Sequence, residues 1–271
     1  MGIDPRLEKL VGLLSELSQV EAIALGGSSA SGRADEFSDF DLYVLPNEVI
    51  PLETRRGVVQ RLGGAGVENL GHDYFGGGDE WVDAETGTHF DAMYFGLEFY
   101  REQLERPLKH FQPSLGYSTA FAYTVSQARI LYDPDGKFAA LQALARAPYP
   151  DALRENIVRY NHPILRSTIS SYVSLLKKAL RRHDEVSVNR LVATLLASYF
   201  DIIFAVNRLL HPGEKRLLAT ALATCPSLPG GFEADLTATL RSAGDGATLL
   251  ENVGRSLDAL DVWLGREGLL G

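Results

Sequence analysis

The sequence is poor in cysteine and in positive charge, and both shortages limit what the protein can be. Cys225 is the one cysteine among 271 residues, so no intrachain disulfide can form. Because disulfides are rare in reducing compartments, we expect a cytoplasmic protein. The formal net charge is -9. Extensive nucleic-acid binding depends on many Lys and Arg contacts to phosphate, so we do not expect it here.

Long apolar runs are also missing from the sequence. No uncharged apolar stretch approaches the ~18 residues of a membrane-spanning helix, so we expect no membrane partner. The N-terminal segment MGIDPRLEKLVGLLSEL carries charges throughout its apolar part. This pattern predicts an amphipathic helix rather than a signal peptide.

Two kinds of hydrophobic pattern divide the chain near residue 148. Runs rich in branched and aromatic residues predict strands at 20–25, 40–45, 88–95 and 128–133. Helical candidates between these runs span 4–17, 52–64 and 97–110. The glycine-rich DYFGGGDEW, residues 73–81, is predicted to be a flexible connection between strands. We therefore predict an α/β domain over residues 1–148.

The second part of the chain is predicted to be helical. Apolar residues recur at helical spacing over 164–179 and again over 188–206. Shorter helices are predicted near 214–223, 232–242 and 246–265. Residues 149–271 are therefore expected to form an all-α helical bundle domain.

Two aspartates at the start of a predicted strand are the first candidates for a functional site. Asp39 and Asp41 share a face of that strand because successive side chains alternate, and they lie ~7 Å apart along the backbone. Two neighbouring carboxylates repel each other unless a cation lies between them. Mg²⁺ prefers carboxylate, water and phosphate oxygens. The pair is therefore a candidate metal site.

Small residues precede this acidic pair. Gly27, Ser28 and Ser29 directly follow the predicted strand at 20–25, where the chain could open a helix or a tight turn. Free backbone N–H groups at a helix start bind phosphate, and a glycine lets the backbone approach the ligand closely. A serine hydroxyl adds a hydrogen bond. These three residues are therefore candidate phosphate ligands.

A third carboxylate lies on a later predicted strand. Asp91 interrupts the apolar run THFDAMYF, where an aspartate is unfavourable unless it is paired or bound to metal. His89 and Met93 share its face by alternation. If this strand lies beside the strand of Asp39 and Asp41, the three carboxylates converge.

The stretch GSSASGRADEFSDFDL resembles the signature of the polymerase-β-type nucleotidyltransferase superfamily. That signature is Gly-Ser, an interval of ten residues, Asp-hydrophobic-Asp-hydrophobic, and a carboxylate on a later strand. The matching residues here are Gly27, Ser28, Asp39, Asp41 and Asp91. An α/β half followed by a helical half is similar to the aminoglycoside nucleotidyltransferases. The resemblance implies a nucleotidyltransferase domain with a mixed sheet.

The resemblance also implies a chemistry. A nucleoside monophosphate would pass from a nucleoside triphosphate such as ATP to an acceptor hydroxyl group, with release of pyrophosphate. Asp39 and Asp41 would hold one or two Mg²⁺ ions, and Gly27 with its neighbouring serines would hold phosphates. Asp91 would be either a third metal ligand or the base that takes the acceptor proton. Both roles occur in the superfamily, and the sequence does not choose between them.

The acceptor and the state of assembly remain open at this point. The two-domain size and the negative charge favour a small-molecule acceptor, such as a cationic aminoglycoside. The alternatives are a protein or tRNA acceptor, or a module that binds nucleotide without catalysis. A homodimer is also an open alternative to a monomer.

Two residues of the helical part are weaker substrate candidates. Asp201 interrupts the apolar YFDIIF, and it is either a buried helix contact or a substrate ligand. Lys215 follows HPG and could begin a helix that faces the substrate, although a surface position is the better expectation.

Overall fold

The computed structural model describes residues 4–27, 39–74, 76–242 and 244–270. Their contacts divide the chain into two compact units. The first comprises Met1–Glu105 and Thr124–Ala147, and the second comprises Arg106–Tyr123 and Pro148–Gly271. The sequence pattern places one boundary near residue 148, whereas these contacts also assign residues 106–123 to the helical unit.

Strands and helices are interspersed up to residue 145. In chain order they are α1 (Pro5–Ser15), β1 (Val20–Leu25), β2 (Phe40–Pro46), α2 (Leu52–Leu62), β3 (Ala65–His72), β4 (Gly78–Asp83), β5 (His89–Tyr94), α3 (Leu97–Leu108), α4 (Ala120–Gln127), β6 (Arg129–Tyr132) and α5 (Lys137–Ala145). Asp4 begins α1 by accepting hydrogen bonds from the backbone N–H groups of Arg6 and Leu7. Pro5 occupies the first turn, where its fixed φ angle suits a helix.

The described strands form one six-stranded sheet in the order β3-β4-β5-β2-β1-β6. β2 and β5 pair in parallel, and the remaining neighbours pair antiparallel. The sheet is therefore mixed, as the sequence predicted. The prediction for residues 73–81 was wrong in part, because Gly78–Asp83 is a strand rather than a flexible connection. The glycines at 76–78 precede this strand and concealed the β propensity of Trp81 and Val82.

The two faces of the central strands differ in character. On one face Phe90 lies between Phe40 and Trp81, with ring centroids 5.3 Å and 5.1 Å away. This face belongs to the core formed with α1 and α2, which contribute Leu10, Leu14 and Leu62 among others. Because side chains alternate along a strand, the residues next to the aromatic ones point to the opposite face.

The second unit is helical beyond residue 150. Its helices are α6 (Asp151–Arg166), α7 (Tyr172–Arg181), α8 (Glu185–Val206), α9 (Leu217–Thr224), α10 (Phe232–Arg241) and α11 (Gly246–Arg266). The pattern over 164–179 predicted one continuous helix, and this was wrong. The chain leaves the helix after Arg166, and Ser171 caps α7 by accepting from the Ser174 N–H group. Ile169, which fits the helical spacing, is 94% exposed in that break.

The long helix α8 lies at the centre of the helical core. Among the described residues it is the one helix long and apolar enough to span a membrane. However, its apolar stretch is largely buried inside the protein, as expected for the core helix of a bundle. Tyr199, Phe200 and Phe204 pack there against residues of the other helices.

A buried polar cluster surrounds Asp201 in the second unit. Asp201 is 1% exposed and accepts hydrogen bonds from the backbone N–H and the hydroxyl group of Ser118. Asn161 donates a further hydrogen bond from its amide group. Burial nevertheless raises the pKa of Asp201 to about 7. These contacts join residues 106–123 to the helices, which explains why that segment belongs to this unit.

We predict that Asp201→Asn weakens the pH dependence of stability. Between about pH 4 and pH 7 folded Asp201 keeps a proton that the unfolded chain loses, so this group destabilises the fold as the pH rises. Relative to wild type, the variant should gain about 2–4 kcal/mol of unfolding free energy from pH 4 to pH 7.5. Urea unfolding of both proteins measures this difference. Other titrating groups, such as His211, contribute equally to both proteins, so their contributions drop out of the comparison. Parallel pH profiles would contradict the prediction.

Candidate active site

Three carboxylates lie in register across the central strands. The parallel pairing of β2 and β5 places Asp41 opposite Asp91. The antiparallel pairing of β5 and β4 places Asp91 opposite Glu80. Directly paired residues share a face, so all three point away from the aromatic core face. We call Asp41, Asp91 and Glu80 the acidic row.

Asp39 and His89 lie next to the acidic row. Each is two residues before a member of the row, so each shares its face. His89 Nδ1 lies 3.3 Å from Asp39 Oδ2. The Asp39 side chain is 52% exposed and the His89 side chain is 36% exposed, so this end of the row is open to solvent. The imidazole of His89 therefore contacts the outermost of the predicted carboxylates.

Asp91 lies at the centre of the acidic row and has an unfavourable environment as an anion. Burial, Asp41 and Glu80 raise the pKa of Asp91 above its ordinary value. The nearby His72 and His89 act in the opposite direction on that pKa. Its Oδ1 atom is buried and has no hydrogen-bond partner among the residues that the structure describes. Such an oxygen can accept a proton or a hydrogen bond from a ligand.

Gly27 lies against the carboxylate of Asp41. Its φ angle is 63°, a left-handed conformation that favours glycine. A β-carbon at this position would lie 1.8 Å from Asp41 Oδ2. The neighbouring Gly26 donates its N–H to the Asp41 carbonyl oxygen at 2.7 Å. The predicted phosphate end and the acidic end are therefore adjacent, while Ser28 and Ser29 lie outside the described residues.

Mg²⁺ was predicted to bind Asp39, Asp41 and Asp91. Within the described ranges, no group of three or more Asp, Glu, His or Cys side chains is arranged to hold a metal ion. The paired Asp41 and Asp91 nevertheless fit a hard cation, since they offer adjacent carboxylates on one face of the sheet. Mg²⁺ commonly takes one or two carboxylates and completes its shell with waters and substrate phosphates.

The two weaker substrate candidates lie in the other unit. Asp201 is buried and hydrogen-bonded to Ser118, as expected for a buried helix contact. Lys215 is exposed in the loop before α9, which agrees with the predicted surface position. A substrate role for either residue stays a prediction.

The sequence did not single out two residues of this face. Glu80 was placed in the glycine-rich connection, and no strand was predicted at His72. Glu80 lies within β4, and His72 is the last residue of β3. The adjacent Trp81 and Val82, which have high β propensity, were the signal that could have revealed β4 and with it Glu80.

A mixed sheet with paired acids beside a glycine turn is the type of site that the nucleotidyltransferase signature predicts. Residues 7–75 match the family model of the nucleotidyltransferase domain. Residues 118–217 match the model of a domain of unknown function (DUF4037). The N-terminal part of the chain therefore matches a nucleotidyltransferase domain, and the resemblance and the fold class are confirmed. The match includes Gly27, Asp39 and Asp41, whereas Asp91 lies beyond it.

The comparison with solved structures gives a weak structural likeness. A nucleotidyltransferase-like protein from Exiguobacterium sibiricum 255-15 is 11% identical to this chain, with a TM-score of 0.46. The alignment covers 96% of this chain and 78% of that protein. No curated protein sequence matches the chain.

We predict that Asp91→Asn and Asp79→Asn change stability in opposite directions. Asp91→Asn removes one of several like charges and should raise the unfolding free energy by about 0.2–1 kcal/mol at pH 7. Asp79 lies on the opposite face of β4, is 1% exposed and accepts from Arg55 Nη1 at 2.6 Å. Its neutralisation leaves a largely buried cation unpaired and should cost about 3 kcal/mol. Chemical denaturation measures the unfolding free energy of each variant. If Asp91→Asn also destabilised the protein, the proposed repulsion between Asp91 and its neighbouring acids would be refuted.

We predict that Gly27→Ala destabilises the protein. A left-handed φ and the position of the Asp41 carboxylate both oppose a β-carbon, so the unfolding free energy should fall by about 1–2 kcal/mol. Gly57→Ala in α2 is the matched control, because nothing lies within 4 Å of its added β-carbon. That helical substitution should stabilise by about 0.5–1 kcal/mol. Equal thermal stability of the two variants would show that Gly27 does not need to be a glycine.

Proposed function

We propose that this protein transfers a nucleoside monophosphate from a nucleoside triphosphate to a hydroxyl group of a small-molecule acceptor. The observation that carries the proposal is the in-register pair of Asp41 and Asp91, with Gly27 against the Asp41 carboxylate. Neighbouring acids that are partly buried are unfavourable unless a cation or a proton is to be bound there. The match of residues 7–75 to a nucleotidyltransferase domain supports a nucleoside triphosphate as the ligand that binds together with the cation.

The residues divide into two roles in this proposal. Asp39 and Asp41, with one oxygen of Asp91, would hold one or two Mg²⁺ ions. Bound there, Mg²⁺ supplies positive charge that stabilises the attacking and leaving oxygens. Gly27, with Ser28 and Ser29, would hold phosphate oxygens of the nucleotide through backbone N–H and hydroxyl groups.

Asp91 is the proposed base in the transfer. The acceptor oxygen forms a bond to the α-phosphorus of the nucleotide, and its proton passes to the carboxylate of Asp91. The bond from the α-phosphorus to the bridging oxygen breaks, and pyrophosphate leaves with that electron pair. Burial and two neighbouring acids raise the pKa of Asp91, which makes its carboxylate a better proton acceptor.

A cationic acceptor suits the charge of the site. Asp41, Asp91 and Glu80 are neighbours on one face, and the whole chain has a net charge of -9. Such a field attracts positively charged ligands and repels nucleic acid. An aminoglycoside-like acceptor is therefore favoured over tRNA. A cytoplasmic location, where nucleotides and Mg²⁺ are abundant, is part of the proposal.

The test is a pyrophosphate-release assay with Mg²⁺. The protein is supplied with ATP, GTP, CTP or UTP and with kanamycin A, D-glucosamine, D-glucose or glycerol as acceptor. We expect release with at least one pair, and loss of release when EDTA removes the metal. Asp41→Asn should lower the rate by at least about 100-fold, because several kcal/mol of charge stabilisation are lost.

Asp135→Asn is the control for this assay. Asp135 is an exposed aspartate of the same unit, in the turn before α5, and is remote in sequence from the acidic row. This variant should keep the wild-type rate. A wild-type rate in Asp41→Asn, or no release with any nucleotide and acceptor, would refute the proposed function.

A further inference from the structure

The imidazole ring of His72 is buried without hydrogen bonds. His72 ends β3 and is 6% exposed. Neither ring nitrogen has a hydrogen-bond partner among the described residues. A buried polar group without a partner costs free energy, so such groups are rare in folded proteins. An imidazole kept in this state needs an explanation besides packing.

A glycine allows this ring to lie over the neighbouring strand. Gly78 of β4 pairs with His72, and a β-carbon at Gly78 would lie 2.9 Å from Cε1 and 3.0 Å from Nε2 of the ring. Glu80 is two residues further along β4 and so shares the face of Gly78. His72 therefore lies on the face of the acidic row, and its ring extends across β4 towards β5.

The strand beyond Gly78 in this direction is β5. Gly78 pairs with Met93, which is two residues from Asp91 on the same face. The His72 ring acts electrostatically on the carboxyl group of Asp91. Asp91 Oδ1 is likewise buried and without a hydrogen-bond partner in the part of the chain that the structure describes. A potential donor and an acceptor thus lie on one face, and neither is satisfied.

We propose that His72 and Asp91 together bind the acceptor hydroxyl group. A hydroxyl group both donates and accepts a hydrogen bond, so it can satisfy both residues at once. A ring N–H of His72 donates to the hydroxyl oxygen, and the hydroxyl donates to Asp91 Oδ1. This inference rests on the proposed function and names the acceptor side of the same site.

In the transfer His72 moves no proton. It holds the acceptor oxygen while the hydroxyl proton passes to Asp91, the new oxygen–phosphorus bond forms and pyrophosphate leaves. Glu80, beside Asp91, adds a negative charge next to the bound hydroxyl. The acceptor class that matches this set is an alcohol with a neighbouring ammonium group, such as an amino sugar.

His72→Phe separates this role from packing. Phenylalanine keeps a ring over Gly78 and removes both unsatisfied nitrogens, so thermal stability should be unchanged or higher. With the alcohol that wild type uses best, we expect kcat/KM for that acceptor to fall at least about tenfold, the effect of one lost hydrogen bond. The KM for the nucleotide should stay within about twofold, because His72 lies on the acceptor side. His72→Gln, which restores an amide donor, should recover part of the loss.

The matched control is His110→Phe, which makes the same change at an exposed histidine of the second unit. It should leave both kinetic constants unchanged. An unaltered acceptor kcat/KM in His72→Phe would overturn the inference while leaving the proposed function intact. An equal loss for nucleotide and acceptor would also overturn it, because that pattern indicates general disruption of the site.

A binding measurement decides the inference if wild type shows no turnover at all, which would refute the proposed function itself. Ring nitrogens of His72 in ¹⁵N-labelled protein are followed by NMR while D-glucosamine or D-glucose is added. A shift of the His72 signals with D-glucosamine, larger than with D-glucose, supports the acceptor site. Unchanged His72 signals with both sugars would overturn it.

Discussion

The register between the parallel strands β2 and β5 is the constraint on which the site depends. Phe40 pairs with Phe90 on one face, and the next residues, Asp41 and Asp91, pair on the other. A slip of one residue would turn the aromatic side chain of one strand outwards and bury a carboxylate in the core. The stacking of Phe90 with Trp81 extends the same requirement to β4 and Glu80. The apolar core therefore determines which acids are neighbours.

This arrangement places like charges together at a cost in stability. Asp91 lies between Asp41 and Glu80. Burial and these two acids all raise its pKa, because each makes the charged carboxylate less favourable. Gly27 permits the chain to approach Asp41 where any side chain would collide. On the opposite face the buried Asp79 is paired with Arg55, so the same strands give one aspartate a cationic partner and leave another beside like charges. A buried carboxylate held beside like charges, such as Asp91, is typical of sites that become stable when a ligand binds.

Much of the fold could be predicted from the sequence, and the failures have physical reasons. Strands β1, β2 and β5 were recognised because they are buried and rich in branched or aromatic residues. Their pairing could only be stated as a condition, since register depends on distant residues. β3 was missed because it is largely exposed and is interrupted by glycines, and β4 was missed because glycines precede it. Without β4, neither Glu80 nor the position of His72 could be found.

Asp201 was ambiguous because an aspartate within an apolar helix is compatible with burial or function. Its hydrogen bonds with Ser118 and Asn161 show that it is a buried contact.

The most direct test of the account is to locate a nucleotide-bound metal ion on the sheet. Mn²⁺ replaces Mg²⁺ in many oxygen-ligand sites and broadens NMR signals of nearby nuclei. With Mn²⁺ and a non-hydrolysable ATP analogue, the amide signals of Leu42 and Ala92, next to Asp41 and Asp91, should broaden strongly. The same signals should stay sharp in Asp41→Asn. Broadening confined to other parts of the chain, or equal broadening in the variant, would contradict the assignment of the acidic row as the metal and nucleotide site.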